Sequence, residues 1–90
     1  MIVARSFRVT GRVQGVGFRA FVLDAAEREG LGGWVRNTPD GEVEGLVEGD
    51  REAVVRFERH LARGPARARV DHITMDDTVP GGLGRRFAIK

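Results

Sequence analysis

The nine residues from Gly11 to Arg19, GRVQGVGFR, bring together what an anion site needs. A run that reads as a strand stops at three glycines, Gly11, Gly15 and Gly17, and restarts as a helix with an arginine in its first turn. Gly15 and Gly17 let backbone N–H groups turn inward without side-chain obstruction. The helix that follows offers unpaired N–H donors and the positive end of its dipole. A phosphate group fits such a cradle. Arg19 is a poor choice for helix stability, because a cation near an N-terminus opposes the macrodipole by a few tenths of a kcal/mol up to about 1; a bound phosphate reverses that penalty. The chain also holds a single glutamine, Gln14, and a single asparagine, Asn37, and both fall in glycine-flanked segments that read as strand ends or turns.

Other candidate chemistry is weaker. Gly15 to Ala20, GVGFRA, matches the dinucleotide pattern G-x-G-x-x-G/A. That fold needs repeated βα units and a carboxylate ending its second strand, where this chain has a hairpin. A Walker A loop is excluded because no Gly-Lys-Ser/Thr occurs and the sole lysine is Lys90. His60 and His72 read as surface or half-buried structural residues on a helix and a strand. Asp76 and Asp77 are adjacent on a strand and so point to opposite faces, which argues against a paired acid/base or metal site there.

Ninety residues read as one domain spanning 1–90, able to bury roughly 60 to 65% of its unfolded surface. Without cysteine there are no disulfides, thiolate metal sites or cysteine nucleophiles. A reducing cytoplasm is the expected location. The N-terminal MIVARSFRV carries Arg5 and Arg8 and is apolar only in alternation, so it reads as neither a signal peptide nor a spanning helix. Fifteen bases against 13 acids give a net charge of +2, with every base but Lys90 an arginine. The charges are interleaved, as at Glu27, Arg28 and Glu29, which predicts a solvated surface rather than a polyanion-binding face.

The elements that must position the cradle follow from periodicity. Ile2 to Thr10 alternates as a strand, with a register slip expected near Ala4. Phe18, Phe21, Val22 and Ala25 recur at helical spacing and Gly30 stops the run, predicting a helix over 18–29. Leu31–Asn37 and Glu42–Glu48 flank the turn TPDG and read as a hairpin. Asp50 caps a second helix through Arg63, with Val54, Phe57 and Leu61 on one stripe and Gly64 and Pro65 as its exit. Val70–Asp76 is a further strand, and Phe87–Ile89 is expected at a sheet edge. The order βαββαβ with right-handed crossovers gives an α+β, ferredoxin-like split βαβ: a two-layer sandwich of an antiparallel sheet with two helices on one face. Trp34 and the phenylalanines read as core. A sheet of this kind can bind RNA through aromatics, but the RNP-type motif is missing.

The segment Gly11–Arg19 resembles the acylphosphatase signature G-x-V-Q-G-V-x-F-R at every specified position. Gly33, Trp34, Val35, Arg36, Asn37, Gly41, Val43 and the later Gly49 are similar to the second motif of that family. The likeness covers the whole chain and includes the closing Phe-x-Ile. The resemblance implies hydrolysis of acyl phosphates, mixed anhydrides of a carboxylic acid and phosphate. It also implies a substrate phosphate-binding loop of Gln14, Gly15, Val16, Gly17, Phe18 and Arg19, with Arg19 as phosphate ligand and Asn37 orienting the attacking water.

These residue types suit that reaction. The departing carboxylate has a conjugate acid of pKa about 4 and needs no general acid to leave. Phosphoryl transfer depends on positioning and on charge stabilisation at the equatorial oxygens, which amides and a forked guanidinium supply without a metal. A neutral carboxamide holds a water without repelling the phosphate as a carboxylate would. It is too weakly basic to deprotonate that water; the resemblance implies that the proton passes to the substrate phosphate itself. The expectation is therefore a monomeric enzyme with no metal or cofactor, acting on a small acyl phosphate, with no nucleic-acid or membrane partner. The alternative is a non-catalytic anion-sensing or RNA-binding module, which would keep the arginines but have no use for Asn37.

Overall fold

In β1 (Ile2–Arg12) alternation sends Phe7 and Val9 into the core and Ser6 and Arg8 to the opposite, exposed face. The computed structural model describes residues 1–90. After β1 come α1 (Phe18–Arg28), β2 (Gly32–Asn37), β3 (Val43–Asp50), α2 (Arg51–Arg63), β4 (Arg69–Thr78) and β5 (Phe87–Ile89). The sheet order is β4-β1-β3-β2-β5. β1 runs antiparallel to both β3 and β4, and β2 antiparallel to β3, as expected. β5 departs from the expected antiparallel sheet: it is at the edge, but it joins β2 in parallel and makes the sheet mixed.

The registers put Phe7, Val9, Val35, Val43 and Val47 on one face. Val22, Ala25 and Ala26 of α1 and Val54, Phe57 and Leu61 of α2 close over them in a single cluster of 16 buried residues. Phe57 meets Phe7 edge-on at 5.6 Å between centroids, a geometry that adds to the area both rings bury.

The register slip expected at Ala4 is absent. Pairing with β3 is continuous from Ile2 to Val9, and the irregularity lies between Thr10 and Gly11 on the β4 side. Ala4 is buried while facing away from the helices, in a cross-strand row with Glu48 and Gly32, and the 79–86 segment covers the Glu48 and Gly32 part of that row. Glu48, buried in that row, holds the segment down by accepting hydrogen bonds from the Gly81 amide at 2.5 Å and the Leu83 amide at 2.7 Å.

The helices begin in contrasting ways. Asp50 Oδ2 accepts the Glu52 amide at 3.2 Å, and Glu52 adds an acid to the first turn of α2. α1 starts at Gly17 with no side-chain cap and no acid in its first turn. One helix is closed at its positive end and the other is left open.

Candidate active site

The loop from Val13 to Gly17 is folded by alternation of buried and exposed positions. Val13, Val16 and Phe18 are 1%, 8% and 1% exposed and plug the segment into the core. Gly15 and Gly17 face outward between them at φ of 73° and 78°. In this left-handed region a side chain costs roughly 1–2 kcal/mol. A Cβ would meet nothing within 4 Å at either position, so it is backbone conformation and not crowding that requires glycine. With both residues so turned, no amide from Gln14 to Gly17 donates to a protein acceptor. The earliest bond at the start of α1 is Phe21 N–H to the Gly17 carbonyl at 3.0 Å, which leaves the first-turn amides of Phe18, Arg19 and Ala20 without an acceptor one turn back. The loop and helix start thus present a concave row of free donors.

Asn37 reaches the same place from another element. It is the last residue of β2, two positions after the buried Val35 and therefore on the helix-covered face. A cleft of about 250 Å³ opens there, with Gly15, Gly17, Arg19 and Asn37 as its polar wall and Val13, Phe18, Ala20 and Ile89 as its apolar one. Asn37 Oδ1 is buried and has no hydrogen-bond partner in the protein. An orphaned buried acceptor costs about 1–3 kcal/mol, which marks the carboxamide as held in reserve for something that enters the cleft. Arg19, half-buried, forms no salt bridge. The guanidinium and the carboxamide therefore share one pocket, both uncommitted to protein partners.

Gln14 and Val16 do not line this cleft with their side chains. Val16 belongs to the core, and Gln14 Nε2 donates to the carbonyls of Thr38 and Glu42, both at 2.9 Å. Gln14 ties the loop to the β2–β3 turn at the residue that follows Asn37, fixing the distance between the two halves of the site. Thr38 braces the same turn, its Oγ1 donating to Asp40 Oδ1 at 2.7 Å and accepting from the Glu42 amide at 3.0 Å. That hydroxyl, aided by a backbone hydrogen bond at Asp40 itself, holds the Asp40 carboxyl below the usual carboxylate range.

Gln14→Ala is expected to lower kcat about 10- to 100-fold by loosening the placement of Asn37. The stability cost is about 1 kcal/mol, since both carbonyls keep a backbone donor, Gly41 N–H and Thr38 N–H. Steady-state kinetics beside urea unfolding checks this, and wild-type kcat in the variant contradicts it.

Sequence reading did not identify Thr38 or Ile89. The signal for Thr38 lay in Thr-Pro-Asp-Gly, whose hydroxyl and carboxylate can brace a turn. His60 and His72 lie away from the cleft, on α2 and β4. Asp76 and Asp77 pair with Ser6 and Arg5 on opposite faces, as expected from their adjacency. A larger depression, about 360 Å³, lies on the uncovered sheet face beside Ser6, Arg8 and Trp34. It makes a poor anion site, because Arg8 is already engaged by Glu42 at 2.7 Å and Glu44 at 2.8 Å and Asp76 adds further negative charge.

The family model described as acylphosphatase matches residues 5–89. An acylphosphatase of Koribacter versatilis is 50% identical over 86 residues, covering 96% of this chain and 78% of the relative. One from Pseudomonas paraeruginosa is 57% identical over 68 residues, covering 76% of this chain and 75% of the relative. The crystal structure of acylphosphatase from Bacillus subtilis superposes with a TM-score of 0.93 at 38% identity, covering 100% of this chain and 99% of that one.

Proposed function

The chain belongs to the acylphosphatase family, hydrolases that act on acyl phosphates, and from that membership we propose how its cleft carries out the reaction. The phosphate of the substrate sits against the free amides that run from Gly15 into the first turn of α1, with the forked guanidinium of Arg19 on its equatorial oxygens. Water bound to the Asn37 carboxamide attacks phosphorus from the side opposite the acyl oxygen. A water–phosphorus bond forms as the phosphorus–acyl oxygen bond breaks. The carboxylate departs with the bonding pair, unaided because its conjugate acid has a pKa of about 4. The proton of the attacking water ends on the phosphate.

The observation that carries this reading is the buried, unpartnered Asn37 Oδ1 in the same cleft as Arg19 and the open N-terminus of α1. The cleft offers amides, a guanidinium and one carboxamide, and among its lining residues there is no carboxylate, imidazole or thiolate to hold a divalent ion. We propose a metal-free reaction, in which treatment with chelator leaves the rate unchanged; a rate restored only by added divalent metal contradicts it.

Hydrolysis of benzoyl phosphate in oxygen-18 water tests the route. Label in inorganic phosphate supports attack at phosphorus, and label in benzoate overturns it. Absence of turnover would favour the non-catalytic anion-binding alternative, which leaves the unbonded Asn37 without a task.

No helix is long and apolar enough to cross a membrane. The cysteine-free composition is compatible with the cytoplasmic location we propose, and we propose action as a monomer. Light scattering on the purified protein checks the latter.

A further inference from the structure

The apolar wall of the cleft has an uneven surface. Val13 and Phe18 are each 1% exposed, so their bulk belongs to the core and they offer a ligand almost nothing. Ala20 and Ile89 are the exposed apolar residues of that wall, and Ile89 shows 42% of its surface to solvent. It is one of four large hydrophobic residues so exposed in the chain, and the other three, Met1, Ile2 and Val79, lie elsewhere.

Its position follows from the parallel pairing of β5. Running alongside β2, β5 sets Phe87 beside Gly33 and Ile89 beside Val35, so the strand finishes at the same end of the sheet as Asn37. Antiparallel pairing would have pointed the end of the strand away from the cleft. The placement is held on both sides. The Lys90 amide donates to the Val35 carbonyl at 2.8 Å, and the Lys90 ammonium lies 4.9 Å from the centroid of the Trp34 ring on the opposite face of the sheet. Alternation then turns Ile89 toward the helix-covered face, beside the polar wall.

Resting on the acyl phosphatase reading above, we propose that Ile89 is a specificity-determining residue that takes the acyl group. With the phosphate against the glycine loop and Arg19, the carboxyl side of the anhydride projects over the exposed surfaces of Ala20 and Ile89. An apolar acyl group, aromatic or branched alkyl, buries itself there. A small acyl group leaves that surface wet, and one carrying its own charge loses hydration for no partner. The selected substrate class is therefore acyl phosphates with apolar acyl groups.

The test compares kcat/KM for benzoyl phosphate and acetyl phosphate in wild type, Ile89→Ala, Ile89→Asp and Ile89→Met, with the inhibition constant for inorganic phosphate measured on each. Ile89→Ala should lower the benzoyl-to-acetyl ratio about 10-fold, the low end of what a lost apolar pocket contact gives. Ile89→Asp should lower it further, and Ile89→Met should keep it within about 3-fold, as an apolar replacement of similar volume. Inhibition by inorganic phosphate should change little with Ala and Met, because the cradle is untouched. An unchanged ratio in the Ala and Asp variants of an active enzyme overturns this inference alone. So does a fall in activity on both substrates by the same factor, which marks Ile89 as structural. Wild type inert toward both substrates overturns the parent reading together with this one.

Discussion

Arg19→Ala should lower kcat/KM for benzoyl phosphate by on the order of 10² to 10³ or more, as removal of a preorganised anion donor does elsewhere. The guanidinium forms no salt bridge and shares the cleft with Asn37, so its loss falls on substrate and transition state rather than on the fold. Stability should move the other way. Arg19 sits in the first turn of a helix that lacks a side-chain cap and any acid there. Removing that cation relieves an unfavourable charge–dipole contact worth a few tenths to about 1 kcal/mol, and alanine is the better helix former. A variant that is inactive yet as stable as wild type, or more so, identifies a residue kept for chemistry. Arg19→Lys should rescue poorly, because an ammonium keeps the charge but not the planar fork that matches two phosphate oxygens. Retained hydrolysis in the alanine variant removes the assignment.

Asn37→Ala should cut kcat on the order of 10²-fold while inorganic phosphate inhibits nearly as before, because the water is misplaced and the ligand is not. The free Oδ1 makes a second readout available. Deleting a buried acceptor that has no protein partner breaks no internal hydrogen bond, so the unfolding free energy should hold or rise by up to about 1 kcal/mol. Asn37→Asp is the sharper variant. It is nearly isosteric and can still accept a hydrogen bond from water, but it sets a negative charge beside a dianion. It should weaken phosphate binding as well as kcat, by repulsion that a partly desolvated cleft screens poorly. Loss of phosphate binding in the alanine variant, or equal effects of Ala and Asp on that binding, contradicts this division of labour.

The sequence carried the cradle in legible form because its requirements are local. Two glycines at alternate positions, flanked by apolar residues that alternate with them, dictate a turn with outward backbone, and α1 begins within a residue of where periodicity places it. The Asp50 cap and the bounds of α2 were equally plain, since a side-chain oxygen two residues before an amide is a contact within one turn. The four-strand topology followed from element order and crossover handedness.

What stayed hidden depends on contacts between distant segments. The parallel direction of β5 is decided by the path of 79–86 over the uncovered face and by the hold of Glu48 on that segment, 33 and 35 residues away in sequence. Ala4 looked like a break in alternation because it is buried on the sheet face away from the helices. A second task of Gln14 was hidden for a similar reason. Its side-chain amide spans 24 and 28 residues to fix the turn that follows Asn37. Arg19 and Asn37 are 18 positions apart and share no local signal. Only the antiparallel placement of β2 beyond β3, with α1 packed against it, brings them to one cleft.

Titration of the nitrogen-15-labelled protein with inorganic phosphate, followed through amide resonances, tests that convergence most directly. Saturable shifts should concentrate on the backbone amides of residues 15–20, the Arg19 side chain and the Asn37 carboxamide. Those shifts should be abolished on the loop amides and the Asn37 carboxamide by Arg19→Ala. Shifts that gather instead on the arginines of α2, or a loop that responds while the Asn37 carboxamide does not, would contradict it.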